Sequence, residues 1–178
     1  EAWTQAVGRA VLPGDETTGE VTVNGLPPES PFIEPILTAG RWLEAGDENA
    51  IVLNGNLADA VPGAEVGSEI TLVLRGQQTT WEVVGIAQAV FSFENVAWSS
   101  YSGLAGAIGE GGLTRSLRIG TEESTAAFQN DIAGAATDAL TAAGFALDET
   151  QTTAQLEDSF DLRFNVLVVS LLALAGLL

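Results

Sequence analysis

The chain has 178 residues, of which 24 are acidic and six are basic, so its formal net charge at pH 7 is −18. All six basic residues are arginines, and the sequence contains no lysine, histidine or cysteine. These absences exclude Ser-His and Cys-His nucleophile pairs, the usual zinc sites, Schiff-base chemistry and disulfides. The charge also argues against nucleic acid and anionic lipid surfaces as partners, because both are bound by clustered Lys and Arg.

Paired carboxylates are the remaining route to enzyme chemistry, as in glycoside hydrolysis. Asp47 and Glu48 are a candidate pair, but neighbouring residues on an extended chain point to opposite faces. The glycine cluster GEGG at 109–112 lacks the lysine of a phosphate-binding loop, and we interpret it as a turn. We therefore predict no catalytic residue, no cofactor and no metal site, and a secreted carboxylate hydrolase is the least favoured hypothesis.

The first third of the chain is predicted to be rich in strands. Residues 2–12 and 19–26 show strand patterns, and the second alternates valines with polar residues. The segment PPESP at 27–31 then interrupts the chain, because proline cannot donate to a strand ladder. The run AIVLN at 50–54 predicts a short buried strand, and a short helix is predicted from there to residue 60.

A β-hairpin is the clearest local prediction. Residues 68–86 read SEITLVLRGQQTTWEVVGI, in which two β-rich runs flank a Gly-containing turn. Residues 88–112 mix aromatics with Gly and Ser and are interpreted as a mobile or packing segment without a regular element. Residues 114–121 are predicted to form a further strand.

An amphipathic helix is predicted next. Thr121 is the predicted cap and Gly144 the predicted stop. The helix would lie on a sheet through one apolar face, formed by Phe128, Ile132, Ala136, Leu140 and Ala143. FALDET, at 145–150, is then predicted to return as a short strand, so residues 114–149 indicate an α+β unit.

The last helix is predicted from a capping box. The sequence TTAQ places Thr152 at the cap and lets Gln155 reach back. Apolar residues then follow at spacings of three and four, and the stripe begins with Leu156, Phe160, Phe164 and Leu167. We predict one continuous helix over 151–178 that starts in water as a stalk and enters a bilayer near Phe164.

The final apolar run has two interpretations. From Val166 it contains 13 residues, whereas a membrane span needs about 20. We favour the outer part of a transmembrane helix, because every face of the run is apolar. A buried C-terminal helix is the alternative. The lack of lysine beside such a helix fits the outer side of a membrane, although the acidity alone is also explained by solubility or salt adaptation.

Several segments in this order resemble one family. They are VNGLPPESPFIEPILTAGRWLEAGDENAIVLN, then VGSEITLVLRGQQTTWEVVGI, and finally the helix RFNVLVVSLLALAGLL. Together they resemble the extracytoplasmic core domain of MacB/FtsX-like ABC transporter permeases. The most specific residues are Gly40, Arg41, Trp42, Gly46, Asp47, Asn54, Trp81 and Gly85.

The resemblance implies a two-lobed α+β domain inserted between membrane helices. A porter-like βαβ lobe would comprise residues 1–35 and 89–150, and an inserted β-rich lobe would comprise 36–88. Residues 151–178 would be the stalk and the start of a transmembrane helix. Such a domain carries no catalytic site.

The resemblance also implies partners and a place in the cell. The permease would pair with a cytoplasmic ABC ATPase subunit or domain and with a second permease copy, with this domain on the extracytoplasmic side of the cell membrane. ATP hydrolysis would move the outer domain through the stalk helices, for export or extraction of a substrate. The alternative hypothesis is a membrane-anchored extracellular binding module whose single helix is only an anchor.

Two interpretations remain open for the signature residues. Arg41 and Asp47 form either a contact for a partner or substrate, or an ion pair that stabilises the turn between Gly40 and Gly46, and we favour the ion pair. Trp42 and Trp81 are either ligand platforms or core anchors, and we favour core anchors.

Overall fold

The computed structural model describes residues 1–14, 16–88 and 94–156. The chain divides into two compact units, Glu1–Ile119 and Gly120–Leu178. The first unit contains a mixed sheet of eight strands. In chain order its elements are β1 Ala2–Ala10, β2 Val21–Leu26, β3 Leu37–Gly40, β4 Ala50–Asn54, α1 Gly55–Ala60, β5 Glu69–Leu74, β6 Gln77–Ala87, β7 Asn95–Ser100, α2 Tyr101–Ala107 and β8 Ser116–Leu117.

Six strands of this sheet pair in a closed circuit. The order is β1, β2, β7, β4, β6 and β5, and β5 pairs again with β1. The β2–β7 and β4–β6 pairs are parallel, and the other pairs of the circuit are antiparallel. Two further strands are added, β3 beside β6 and β8 beside β1.

Two hydrophobic clusters lie on opposite faces of the sheet. In β4, Ile51 and Leu53 belong to the larger cluster, whereas Ala50 and Val52 belong to the smaller one. This alternation follows from the two-residue period of a strand. The larger cluster also contains residues of all the other circuit strands and of α1 and α2.

Several predicted strands are confirmed. They include β1, β2 and the buried strand β4, which leads into α1 as predicted. The hairpin is formed by β5 and β6. Arg75 and Gly76 form its turn with φ values of 50° and 80°, the backbone conformation of a two-residue hairpin loop.

Strand pairing joins the middle of the chain to the segments on both sides of it. Strands from 36–88 pair with strands outside that range, because β5 lies beside β1 and β4 lies beside β7. These strands share one sheet, and the boundary between the two compact units falls after residue 119. The strand β1 makes this possible because it is long enough to pair with two strands. Its residues 4–8 pair with β2, and its residues 8–10 pair with β5.

Regular structure also occurs where none was predicted. Within 88–112 the chain forms β7 and α2, so the prediction of a segment without regular elements is wrong. The strand predicted over 114–121 is limited to the two residues of β8.

The second unit is described over residues 120–156. Its main element is α3, Ala126–Ala142. The predicted cap is wrong: the Thr125 side chain accepts a hydrogen bond from the Phe128 N–H, whereas the Thr121 hydroxyl donates to the Glu123 carbonyl. The predicted stop is confirmed, because Gly144 has φ 88° and its N–H donates to the Thr141 carbonyl.

The sheet expected beneath this helix is not found in its own unit. The described residues of that unit contain no strand, so the strand predicted at 145–150 is wrong. That segment is exposed throughout and includes Asp148 and Glu149. No residue of α3 is buried, and Phe128, Ile132 and Leu140 are half-buried.

The predicted capping box is present. The Gln155 N–H donates to the Thr152 hydroxyl at 3.3 Å, and the Gln155 side chain accepts from the Thr152 N–H at 3.1 Å. Helical backbone follows from residue 153 to 156. The rest of the predicted stalk and membrane helix, with Phe160, Phe164 and Leu167, lies outside the described residues. In the ranges that the structure covers, no helix has the length and apolar character needed to cross a membrane.

Candidate functional site

The signature residues centre on the loop from 41 to 49, which we call the signature loop. It begins at the end of β3, which pairs antiparallel with β6. Gly40 has φ 70°, and a Cβ at this position would lie 2.3 Å from the Val84 carbonyl oxygen. A Cβ at Gly85 would lie 2.1 Å from the Arg41 carbonyl oxygen. Real Cβ atoms do not approach so closely, so the pairing at this point requires glycine on both strands.

Arg41 and Asp47 form a bidentate ion pair across the loop. The two guanidinium nitrogens donate to the two carboxylate oxygens at 2.8 and 3.0 Å. Arg41 also donates to the Trp42 carbonyl at 2.9 Å, and the Glu44 N–H donates to Asp47 at 2.8 Å. Gly46, with φ 94°, allows the turn that brings these groups together.

The ion pair fixes the charge of both partners. The hydrogen bonds from Arg41 hold the pKa of Asp47 below its usual value, against the opposite effect of burial. The same contact raises the pKa of Arg41. Asp47 therefore stays ionised and has no proton to give as a general acid at neutral pH.

The tryptophans of the signature lie in different clusters. Trp42 is half-buried beside the smaller cluster, and its ring lies 6.0 Å from that of Trp98 at an angle of 52°. Trp81 is 2% exposed in the larger cluster, and its indole N–H donates to the Thr79 hydroxyl at 2.8 Å. Trp81 is thus a core side chain with its polar atom satisfied.

Asn54 links three elements at the end of β4. It is 1% exposed, and its carbonyl oxygen accepts from the N–H groups of Leu57 in α1 and Val96 in β7. Its amide nitrogen donates to the Glu94 carbonyl at 2.8 Å. Asn54 therefore caps α1 and also fixes the start of β7.

Ser100 and Gly103, which the sequence analysis did not identify, contact the signature loop from the end of β7 and from α2. The Ser100 hydroxyl donates to the Asp47 carbonyl and also accepts from the Gly103 N–H, which caps α2. A Cβ at Gly103 would lie 2.2 Å from the Glu48 carbonyl oxygen. Ser100 immediately precedes α2 and is a residue type favoured at helix caps, so it was the available signal, but the prediction of an irregular segment concealed it.

The structure thus brings together Gly40, Arg41, Asp47 and Gly85 at one corner of the sheet. Asn54 lies at the end of β4, and Trp81 lies in the larger hydrophobic cluster. Of the predicted stalk stripe, Leu156 is described and is 42% exposed.

Comparisons with known proteins agree with the resemblance read from the sequence. The model of the MacB-like periplasmic core domain family matches residues 1–158. The periplasmic region of MacB from Actinobacillus actinomycetemcomitans has a TM-score of 0.62 at 15% identity, covering 90% of this chain and 74% of that chain. This likeness shows a shared fold.

A second solved structure is more distant. The extracellular domain of the noncanonic ABC-type transporter YknZ from Gram-positive bacteria has a TM-score of 0.47 at 17% identity, covering 61% of this chain and 57% of that chain. A search of curated protein sequences gives no match. Because the family model spans most of the chain, this protein belongs to the family of MacB-like periplasmic core domains.

Proposed function

We propose that this chain is the non-catalytic extracytoplasmic domain of an ABC transporter permease. In this proposal a cytoplasmic ABC ATPase subunit or domain hydrolyses ATP, and stalk helices carry the resulting movement to the outer domain for export or extraction of a substrate. The family match over residues 1–158 is the observation that carries the proposal. The MacB structure supports it through the shared fold.

The start of the C-terminal helix supports the coupling part of the proposal. Its first turn is fastened to α3, because the Ala154 N–H donates to the Gln129 side chain at 3.1 Å. The Thr152 hydroxyl lies 3.4 Å from the Asn130 side-chain oxygen. A force on the helix start would therefore reach α3 through direct hydrogen bonds. We propose that residues 151–178 continue as the stalk and enter the membrane.

The signature loop has a structural role in this proposal. The Arg41 guanidinium and the Asp47 carboxylate are occupied by each other and by backbone groups of the same loop. A bidentate ion pair of this kind restrains the loop to one conformation. We propose that the loop keeps β3, β4 and β6 in fixed register and does not bind the transported substrate.

The proposal also assigns partners and location. The domain would lie on the extracytoplasmic side of the cell membrane, attached through terminal helices, with a second permease copy completing a dimer. No nucleic acid and no cofactor takes part. The net charge of −18 supports the first of these statements, because nucleic-acid binding depends on clustered basic residues.

The test is to purify the full-length polypeptide from its native membranes in mild detergent. Mass spectrometry identifies the proteins that accompany it, and an ATPase assay measures the activity of the preparation. We expect a stoichiometric ABC ATPase subunit, or an ATPase domain on the same polypeptide. We also expect several hydrophobic spans in the polypeptide.

A different result would contradict the proposal. A single-span polypeptide without an ATPase would identify the chain as part of a membrane-anchored binding module, whose helix serves only as an anchor. The control is a purification of an unrelated membrane protein from the same membranes, which shows whether any ATPase found is a general contaminant.

A further inference from the structure

The strand β8 has an open side within the described part of the first unit. Its one neighbour there is β1, through the pairs Ala2–Leu117 and Trp3–Ser116. The Arg118 N–H donates to the Glu1 carbonyl, so it points toward β1. Backbone groups of alternate residues in an antiparallel strand point to opposite sides. The N–H and C=O of Leu117 therefore point away from β1, to the open side.

The segment that carries this edge is held in place at its start. The Arg115 N–H donates to the Trp3 carbonyl at 3.0 Å, and the Thr114 hydroxyl donates to the same carbonyl at 2.6 Å. These hydrogen bonds fix the backbone that leads into Leu117. A pre-organised edge of this kind loses less entropy when it pairs with another strand.

Apolar side chains along this segment are exposed. Leu113 is 59% exposed, Leu117 is 48% exposed and Ile119 is 54% exposed. The sequence of 114–121 predicts a strand of eight residues, whereas the structure pairs two. The segment thus has the pattern of a longer strand, but within the described part of the first unit no second strand pairs with it or covers its leucines and isoleucine.

The charge of the segment differs from that of the rest of the chain. Residues 111–121 contain two of the six arginines and no acidic residue. Arg115 donates to Glu110 at 3.1 Å, and Glu110 also pairs with Arg75. The guanidinium of Arg118 lies 4.7 Å from the centre of the Trp3 ring. Both arginines are therefore positioned at the edge by contacts with the domain itself.

From these observations we propose that the open edge of residues 113–119 binds an extended acidic peptide segment of a partner protein as an added β-strand. Backbone hydrogen bonds would pair the peptide with Leu117, and its apolar side chains would cover Leu113 and Ile119. Its carboxylates would lie opposite Arg118, since oppositely charged cross-strand pairs are favourable, and Arg115 would remain paired with Glu110.

The charges select this occupant over a second copy of the same edge. A second copy of the same edge would add its own Arg115 and Arg118 and, over residues 111–121, no carboxylate to pair with them, and like charges brought together across a strand pair are destabilising. Charged residues on an edge also discourage unspecific strand pairing. An acidic peptide strand can form the backbone hydrogen bonds and also brings charges opposite to those of the edge.

The experiment uses the full-length protein in detergent and a fluorescent peptide of alternating glutamate and valine, with blocked ends. Fluorescence anisotropy measures binding, and hydrogen–deuterium exchange locates it. We expect saturable binding, with slowed exchange in residues 113–119. An analogue methylated at every peptide nitrogen keeps the side chains and charge but donates no backbone hydrogen bond, so we expect it to bind at least about tenfold more weakly.

The variant Leu117→Pro tests the edge itself. Proline removes an N–H that points away from β1, which an edge strand tolerates. We expect peptide affinity to fall at least about tenfold. The control Leu147→Pro makes the same change at an exposed leucine outside the helices and strands, and we expect it to leave affinity unchanged.

Three results would overturn the proposal. The first is no binding of the peptide at about 1 mM. The second is equal binding of the methylated analogue, which would mean association through charge alone. The third is protection from exchange at another part of the chain. The methylated analogue is tested against the unaltered protein, so the comparison holds even if Leu117→Pro fails to fold.

Discussion

The guanidinium of Arg41 and the carboxylate of Asp47 hold the signature loop in one conformation. Asp47→Ala removes the bidentate pair and also the acceptor for the Glu44 N–H. Hydrogen bonds to charged groups contribute about 1.5–3 kcal/mol, and solvent screening reduces this because the Arg41 side chain is 41% exposed. We expect the free energy of unfolding to fall by about 1–2 kcal/mol in denaturant titrations.

The neighbouring acid provides the control for this variant. Glu48 is exposed, and we expect Glu48→Ala to change the free energy of unfolding by less than about 0.5 kcal/mol. Equal stability of the Asp47→Ala variant and the unaltered protein, together with lost transport, would instead favour a role in contacting a partner or substrate.

The lowered pKa of Asp47 gives this contribution a defined pH dependence. A carboxyl group whose pKa is lower in the folded state stabilises the fold fully above its unfolded pKa of about 3.9. The stabilisation is lost as the pH falls through the lower folded value. We expect the stability difference between the unaltered protein and Asp47→Ala to be constant from about pH 5 to 8 and to shrink below about pH 4. A difference that grew on acidification would contradict this assignment.

Asn54 makes three hydrogen bonds through its buried side chain. Asn54→Ala leaves the N–H groups of Leu57 and Val96 and the Glu94 carbonyl without this partner. Loss of a helix cap costs about 1 kcal/mol, and each buried group left unsatisfied costs about 1–3 kcal/mol. We expect a loss of about 2–4 kcal/mol by chemical denaturation. Asn49→Ala is the control at an exposed asparagine, and a similar loss there would contradict the network.

The distance in sequence between partners limits what can be predicted for single residues. Arg41 and Asp47 are six residues apart on either side of a glycine turn, so their pairing is among the predicted alternatives. Ser100 bonds to a carbonyl 53 residues away, and Asn54 bonds to one 40 residues away. Those contacts depend on the tertiary fold, and no local pattern contains them.

At Gly85, in β6, the backbone lies very close to the backbone at the start of the signature loop. Gly85→Ala would place a methyl group 2.1 Å from the Arg41 carbonyl oxygen, which belongs to the backbone and cannot rotate away. We expect a loss of about 1–3 kcal/mol, the usual cost of overpacking, measured by thermal and chemical unfolding. Gly106→Ala in α2 is the matched control, because a Cβ there meets nothing within 4 Å.

The control Gly106→Ala is expected to change stability in the opposite direction. Alanine is favoured over glycine inside a helix by about 0.5–1 kcal/mol, so Gly106→Ala should stabilise the protein. An equally stable Gly85→Ala variant would show that β3 and β6 can separate at this point without cost.

The helices and strands that could be predicted are those that their local sequence is sufficient to specify. The hairpin of β5 and β6 follows from alternation and a Gly-containing turn, and the capping box at Thr152 follows from local side-chain chemistry. The helix α2 was missed because its seven residues include two glycines, which lower helix propensity. The start of α3 was misplaced because Thr121 and Thr125 are both chemically suitable caps.

At the scale of the whole molecule, the closed circuit of strands was beyond reach of the sequence patterns. Those patterns identify strands but not their pairing: β1 pairs with β2 and also with β5, and the β1–β5 pairs join residues more than 60 positions apart. The sheet has hydrophobic clusters on both faces of β4, and this burial brings together strands from distant parts of the chain.

Transmission from the membrane side to α3 is the property of the whole molecule that the proposed function requires. Thr152→Val removes the hydroxyl that caps the C-terminal helix and lies beside Asn130. We expect ATP-dependent changes in hydrogen exchange of α3, measured in the full permease–ATPase complex, to fall by at least about half. Thr153→Val is the matched control at the next, exposed threonine, and we expect it to behave as the unaltered protein.

A second variant separates the cap from the link to α3. Gln129→Ala leaves the capping box intact but removes the acceptor for the Ala154 N–H. If movement passes through these contacts, both variants should reduce the exchange response of α3 while the ATPase subunit still binds. A full response in both variants, with the complex intact, would mean that movement reaches α3 by a route other than the first turn of the C-terminal helix.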